Sequence, residues 1–150
     1  MRTWIDIPPA WLIAALALAW GIGRADPWGL SFGGAWADFA AGLCIGGGLI
    51  LMLLAVIEMR KWRTTVIPHR EAAHLVTSGI FKRTRNPIYL GDALVLLGAI
   101  LRFDAPLALP LVPVFVWWIE RHFIIAEERR LRGQFKAEFA RYCTKTRRWL

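Results

Sequence analysis

Reactive and metal-binding side chains are scarce in this sequence of 150 residues. Of its two cysteines, Cys44 lies inside an apolar run and Cys143 lies near the basic C-terminus, so a disulfide between them is implausible. The three histidines, His69, His74 and His122, have no cysteine or carboxylate at a recognised zinc-ligand spacing. The sequence therefore predicts neither a disulfide nor a metal site.

Apolar residues are abundant and occur in long runs. They make up 57% of the chain, above the roughly 45 to 50% of soluble domains, and a water-soluble fold of this length could not bury them all. No charged residue occurs from Phe39 to Ile57, a run close to the about 20 residues that cross a bilayer core. Composition and run length together predict an integral membrane protein.

Positive charge is unevenly distributed along the chain. The net charge of +8 and the pI near 10.5 would suggest a nucleic-acid partner in a soluble protein. All but three of the 19 Lys and Arg residues, however, lie between Arg60 and Arg85 or between Arg121 and Arg148. Basic segments beside membrane spans mark the cytoplasmic side and attract anionic lipid. We therefore expect membrane lipids but no nucleic acid as partners, and a prokaryotic cytoplasmic membrane with both termini in the cytoplasm.

The apolar runs predict an all-α polytopic membrane protein that forms one domain over residues 1–150. Four transmembrane helices are expected, at residues 9–23, 37–59, 87–101 and 105–125. The last two form a helical hairpin, because only a short turn at residues 102–104 joins them. The fourth span has too few uncharged residues to cross alone, so Glu120 should face protein, water or a bound polar molecule. The alternative is that Glu120 and Arg121 lie at the membrane interface and extend their side chains to water.

A cytoplasmic amphipathic helix is predicted after the fourth span, over residues 126–142. Leu131, Phe135, Phe139 and Tyr142 recur at helical spacing there, and arginine and lysine residues occupy the other positions. Such a helix lies along the membrane surface or caps the helical bundle.

Three stretches of the sequence, in this order, resemble one group of membrane enzymes. The first stretch consists of RTTVIPH at residues 63–69 and HLVTSGIFKRTRNPIYLG at 74–91, the second is EERRL at 127–131, and the third is FKAEFARYCTKTRRWL at 135–150. Their order and spacing resemble the isoprenylcysteine carboxyl methyltransferase and phospholipid methyltransferase superfamily. Phe81, Asp92 and Lys136 depart from that pattern, since a tyrosine, an apolar residue and a glycine are usual at those places.

The resemblance implies methyl transfer from S-adenosylmethionine, the expected cofactor, to a lipophilic acceptor. That acceptor would be an isoprenylcysteine-type carboxylate, a phospholipid amine or a small thiol. In such a displacement the protein mainly positions donor and acceptor and excludes water. By the same resemblance, Arg85 and Glu128 are the expected catalytic residues. The residues expected to bind the cofactor are His74, Leu75, Val76, Gly79, Arg85, Asn86, Pro87, Tyr89, Glu127 and Glu128.

Two other classes of function agree with parts of the sequence. Glu58, Asp92 and Glu120 lie near or within predicted spans, and intramembrane carboxylates often mark ion pathways. A small transporter or channel subunit is therefore one alternative. The other is a catalytically inactive relative of the same fold that serves as a membrane scaffold, which the departures at Phe81 and Lys136 would allow.

Overall fold

The computed structural model describes residues 7–64 and 72–150. Within these residues the chain is helical and has no strand. Its α-helices are α1 (Pro8–Ala25), α2 (Ala35–Lys61), α3 (Pro87–Arg102), α4 (Leu111–Ile119) and α5 (Ile125–Lys145). Short 3-10 helices at Gly79–Lys82 and Pro106–Ala108 and a π-helical turn at Glu120–Ile124 lie between them. The end of the RTTVIPH motif, including His69, lies outside the described residues.

Proline starts two of these helices. Pro8 and Pro87 occupy the first turns of α1 and α3, where the fixed φ of proline suits a helix and its missing N–H leaves no intrahelical hydrogen bond unmade. A run of apolar residues follows each proline, so both helices begin within one residue of the positions predicted from the sequence.

Glycine allows α2 and α3 to pack at close range. A Cβ atom added at Gly48 of α2 would lie 2.6 Å from the backbone oxygen of Gly91 on α3, and one added at Gly91 would lie 2.7 Å from the backbone oxygen of Gly48. The two backbones therefore touch, as small residues permit between helices in a bilayer. The preceding Gly46 and Gly47 face open space, so Gly48 alone among these three glycines serves this contact.

Asp104, in the turn after α3, holds the loop between α1 and α2. Its carboxylate accepts hydrogen bonds from the Ser31 hydroxyl at 2.6 Å and the Phe32 backbone N–H at 2.7 Å. These two bonds, the one from Ser31 foremost, lower the pKa of the Asp104 carboxyl below its ordinary value. Because α1 and α3 end at this loop and α2 begins there, the starts of α1 and α3 lie at the opposite end of the bundle.

A fourth span to residue 125 and a separate tail helix from residue 126 are predicted, but in the structure the helix runs without a break from α4 into α5 and is kinked only later, at Lys136. No proline or glycine interrupts residues 114–132, so α4 continues through the π-helical turn directly into α5. A π-turn adds a residue to the helical turn and is frequent at functional sites. Further along α5, Lys136 departs from helical geometry, with φ 46° and ψ −114°.

The outer surface of the bundle is apolar, which makes the chain an all-α membrane protein. By length and composition, α2 and the stretch Pro106–Lys145 are long and apolar enough to cross a membrane. The helices α1 and α3 have 18 and 16 residues, so their crossing stays a prediction. An exposed apolar surface this extensive marks contact with lipid or protein. Its large exposed side chains include Ile13, Leu18, Phe39, Leu43, Ile50, Leu53 and Trp117.

Candidate functional site

A cavity of about 570 Å³ lies at the end of the bundle where α1 and α3 begin. Leu12 of α1, Met52 of α2 and Val95 of α3 contribute apolar side chains to its wall, and Glu127 and Glu128 of α5 contribute carboxylates. The cavity therefore combines an apolar wall, formed by membrane helices, with a charged wall formed at the start of α5.

The charged wall is built around Glu128. Arg85 Nη2 donates to Glu128 Oε1 at 3.0 Å, while Arg148 donates to the same carboxylate through Nε at 3.0 Å and Nη2 at 2.8 Å. Arg148 Nη1 and Trp149 Nε1 also donate to Glu120, at 2.7 and 2.9 Å. The hydrogen bond with Glu128 is the main cause that raises the pKa of Arg148. Both Glu120 and Glu128 are therefore paired with guanidinium groups within the protein.

Arg85 is anchored by the C-terminal segment. Its backbone N–H donates to the Arg147 carbonyl oxygen at 3.0 Å, and its Nη1 donates to the Thr146 carbonyl oxygen at 2.9 Å. The neighbouring Asn86 donates through Nδ2 to the Arg148 carbonyl oxygen at 3.1 Å. The chain end thus lies beside the start of α3 and fixes the position of Arg85 through backbone atoms.

Glu127 is held by α3. The Tyr89 hydroxyl donates to Glu127 Oε2 at 3.2 Å. Tyr89 is 8% exposed and Asp92, one helical turn further, is 6% exposed, and both line the cavity. One face of α3 therefore presents a phenol and a carboxyl to the same space.

The end of α2 holds the segment at residues 74–76. The Ser78 hydroxyl donates to Glu58 Oε1, and Trp62 Nε1 donates to the Ser78 hydroxyl at 2.8 Å. Gly79 follows with φ 57°, and a Cβ atom there would lie 2.7 Å from Glu58 Oε2. Only glycine suits both this backbone conformation and this close contact. We call Glu58, Trp62, Ser78 and Gly79 the Glu58 cluster.

The structure brings together nine of the ten residues that the resemblance named for cofactor binding. Gly79 is the exception, because it packs on Glu58 behind the segment 74–76. The nine that line the cavity are His74, Leu75, Val76, Arg85, Asn86, Pro87, Tyr89, Glu127 and Glu128. Their roles toward a ligand stay predictions.

Sequence reasoning missed the role of Arg148 and of the first two helices. Arg148 belongs to the third stretch, at residues 135–150. The signal for its role was charge complementarity, because two adjacent arginines there could pair with the two adjacent glutamates at residues 127 and 128. Leu12 and Met52 belong to apolar runs that carry no motif. Their place on the cavity wall follows only from how the helices pack.

The chain is an all-α membrane protein with an internal cavity. One wall of this cavity is apolar, and the other contains paired arginine and glutamate side chains. These features define a membrane protein with an internal polar site. Residues 36–138, more than half of the chain, match the model of the phospholipid methyltransferase family. The chain therefore belongs to the phospholipid methyltransferase family, and the resemblance found in its motifs is confirmed. No curated protein and no solved structure matches the chain. Membership supports methyl transfer as the reaction class and lipid as the class of substrate.

Proposed function

We propose that this protein is an S-adenosylmethionine-dependent methyltransferase that acts on a lipophilic acceptor in the membrane. The observation that carries the proposal is the cavity, in which Arg85, Glu127 and Glu128 line the same space as Leu12 and Met52. A charged methyl donor and a lipophilic acceptor need these two kinds of wall side by side. Family membership supports the reaction class.

The residues of the cavity fit the chemical groups of that cofactor, which carries a carboxylate, an ammonium, a sulfonium and an adenine. Arg85 Nε is buried and has no hydrogen-bond partner in the described structure, although buried donors are nearly always paired. An anionic ligand group would satisfy it, and Glu127 offers negative charge to the cationic groups. The cavity of about 570 Å³ lies within the usual range for small-molecule sites, about 300 to 1,000 Å³.

Each residue has a distinct part in this proposal. When bound, the cofactor would supply a methyl group on a positively charged sulfur. Arg85 would hold a carboxylate, and Glu127, fixed by Tyr89, would face the positive charge. Both oxygens of Glu128 are occupied by Arg85 and Arg148, so Glu128 serves to position Arg85 rather than as a free base. Apolar walls would exclude water from the site.

The distribution of charge supports a cytoplasmic donor site. The described parts of the two basic segments, residues 60–64, 72–85 and 121–148, lie at the end of the bundle that holds the cavity, and Pro8 at the start of α1 lines the same cavity. The positive-inside rule then places the cavity and both termini in the cytoplasm. We propose this orientation in a prokaryotic cytoplasmic membrane. Because Pro8 and Arg148, outside the matched residues, contribute to one site, we also propose a single domain over residues 1–150.

The proposal is tested by calorimetric binding of S-adenosylmethionine and S-adenosylhomocysteine to the full chain in detergent. Wild type should bind with micromolar affinity, and Arg85→Ala and Glu127→Ala should each weaken binding at least about tenfold, as expected when a desolvated charged partner is removed. Two exposed residues provide matched controls, Arg132→Ala and Glu138→Ala, which should bind as wild type does.

The outcomes separate the proposal from its alternatives. Absence of binding by folded wild type rejects the donor site and leaves an inactive scaffold. A proton-coupled transporter would instead lose transport when Asp92 is changed and would be insensitive to Glu127→Ala. Equal donor affinity in all four variants would show that the cavity is not the donor site.

A further inference from the structure

Asp92 is a carboxyl group on the cavity wall that has no hydrogen-bond or ion-pair partner among the described residues. It is 6% exposed and lies on α3 three residues beyond Tyr89, about 4.5 Å further along the helix axis at 1.5 Å per residue. Throughout residues 7–64 and 72–150, no hydrogen bond or ion pair involves its side chain. The cavity wall further along α3 and on the facing helices is apolar, with Leu12, Met52 and Val95.

A buried carboxyl group without a partner is costly, so its presence calls for a ligand. With 6% of its surface exposed, Asp92 has lost most of its contact with water, and no described residue replaces that water. Intramembrane carboxyl groups are for this reason usually functional. The fold does not need an acid here, because Gly91 and not Asp92 makes the close contact with α2.

The position of Asp92 separates it from the proposed donor groups. Arg85 and Glu127 lie at the cytoplasmic end of the cavity, whereas Asp92 lies deeper, where the wall becomes apolar. A lipophilic molecule that enters from the bilayer would rest its tail on that apolar wall and place its polar head beside Asp92.

We propose that Asp92 binds the methyl-accepting group of the acceptor and selects a group that donates a hydrogen bond and is not itself negatively charged. This inference rests on the proposed function. An amine, ammonium, thiol or hydroxyl donates a hydrogen bond to the carboxyl group. A carboxylate would place a second acid beside Asp92 in a medium of low dielectric constant, where the two groups cannot both be ionised, so it could bind only if the pair retained a proton. Asp92 therefore disfavours the isoprenylcysteine-type carboxylate among the three acceptor classes.

The test uses the full chain in phosphatidylcholine nanodiscs and two probes with the same tail, hexadecylamine and hexadecanoate. The first readout is the melting temperature of the protein, which needs no methyl donor. In wild type the amine should raise it by about 2 to 4 °C more than the carboxylate does. Asp92→Asn and Asp92→Leu should abolish this difference. Asp38→Asn, which removes an exposed acid and changes the net charge equally, should retain it.

The second readout is transfer of radiolabelled methyl groups to the same two probes. Wild type should methylate hexadecylamine at least about tenfold faster than hexadecanoate, and Asp92→Asn should bring that ratio near one, as loss of a like-charge barrier predicts. The inference would be overturned if the difference in melting temperature between the two probes were the same in wild type and Asp92→Asn. It would also be overturned if wild type methylated hexadecanoate faster than hexadecylamine.

Calorimetry of donor binding distinguishes a failure of the proposed methyltransferase function from a failure of the role proposed for Asp92. If calorimetry finds no donor binding by wild type, the donor site is rejected, and the melting-temperature comparison still decides whether Asp92 selects the head group. If the donor binds and Asp92→Asn leaves both preferences unchanged, only the role of Asp92 is rejected.

Discussion

Arg148 binds both oxygens of Glu128, through Nε at 3.0 Å and Nη2 at 2.8 Å. The ion pair folds the chain end back onto the first turn of α5. Arg148 Nη1 also reaches Glu120 in the π-helical turn at 2.7 Å, so one side chain joins three parts of the C-terminal half. A bidentate guanidinium–carboxylate pair is geometrically specific, and removing one partner leaves the other partly buried charge uncompensated.

Arg148→Ala is expected to weaken donor binding at least about tenfold and to lower the free energy of unfolding by about 1 to 3 kcal/mol. The physical reason is that Glu128 loses two of its three hydrogen bonds from guanidinium groups, so the carboxylate that pairs with Arg85 is held less firmly and one of its neighbouring charges is uncompensated. Calorimetry and thermal unfolding in detergent measure the two effects.

Arg147→Ala is the matched control for this change. Arg147 is exposed, and the described contact that it makes with Arg85 uses its backbone oxygen, which the substitution leaves intact. Both variants have the same net charge. A similar loss of affinity in the two would show that general charge, and not the pair with Glu128, supports the site.

The helices were predictable from the sequence, and most of their contacts were not. The run from Phe39 to Ile57 predicts a helix because a bilayer leaves few alternatives for an uncharged segment. The meeting of Arg85 with Glu128 was reached only through the family resemblance, since the two residues lie 43 positions apart. Pairing over such a separation depends on tertiary packing, which periodicity does not encode.

The π-helical turn and the conformation of Lys136 had weaker signals. No residue type marks a π-turn, so the join of α4 to α5 was not foreseen. Lysine at position 136, where the superfamily often has glycine, is a departure from the superfamily pattern. Its positive φ gives that departure a physical meaning, because glycine adopts such a backbone without strain.

Lys136→Gly is expected to stabilise the protein by about 1 kcal/mol or more. Lys136 has φ 46° and ψ −114°, a region that costs a residue with a Cβ atom about 1 to 3 kcal/mol, and glycine removes this strain at a smaller cost in chain entropy. Thermal unfolding of the two proteins in one detergent measures the difference.

The neighbouring Ala137→Gly gives the contrast for that experiment. Ala137 lies within α5 with helical geometry, so glycine there should destabilise by about 0.5 to 1 kcal/mol. If Lys136→Gly lowers the melting temperature as Ala137→Gly does, the backbone at position 136 is not strained in solution.

Gly48→Ala is expected to destabilise the bundle by about 1 to 3 kcal/mol, the usual cost of overpacking. The added Cβ atom would meet the backbone oxygen of Gly91 at 2.6 Å, and a backbone atom cannot move aside as a flexible side chain can. Gly46→Ala, which adds the same methyl group in open space, should be neutral or stabilising in the same thermal unfolding assay. Equal melting temperatures for the two variants would refute the close contact of α2 with α3.

Ser78→Ala tests whether the Glu58 cluster positions the segment that carries His74, Leu75 and Val76. The hydroxyl of Ser78 joins Glu58 to Trp62, and without it the segment should lose its fixed place on the cavity wall. Because the proposed donor groups Arg85 and Glu127 are untouched, we expect KM for the donor to rise about three- to tenfold with little change in kcat, the pattern of lost uniform binding.

Lys61→Ala is the control for the Glu58 cluster. Lys61 also pairs with Glu58, at 3.2 Å, but its side chain is 65% exposed, and exposed ion pairs contribute little. Its KM and kcat should match wild type. If Ser78→Ala instead lowers kcat and leaves KM unchanged, the segment at residues 74–76 stabilises the transition state. An unchanged KM would mean that the segment does not contribute to binding the donor in the ground state.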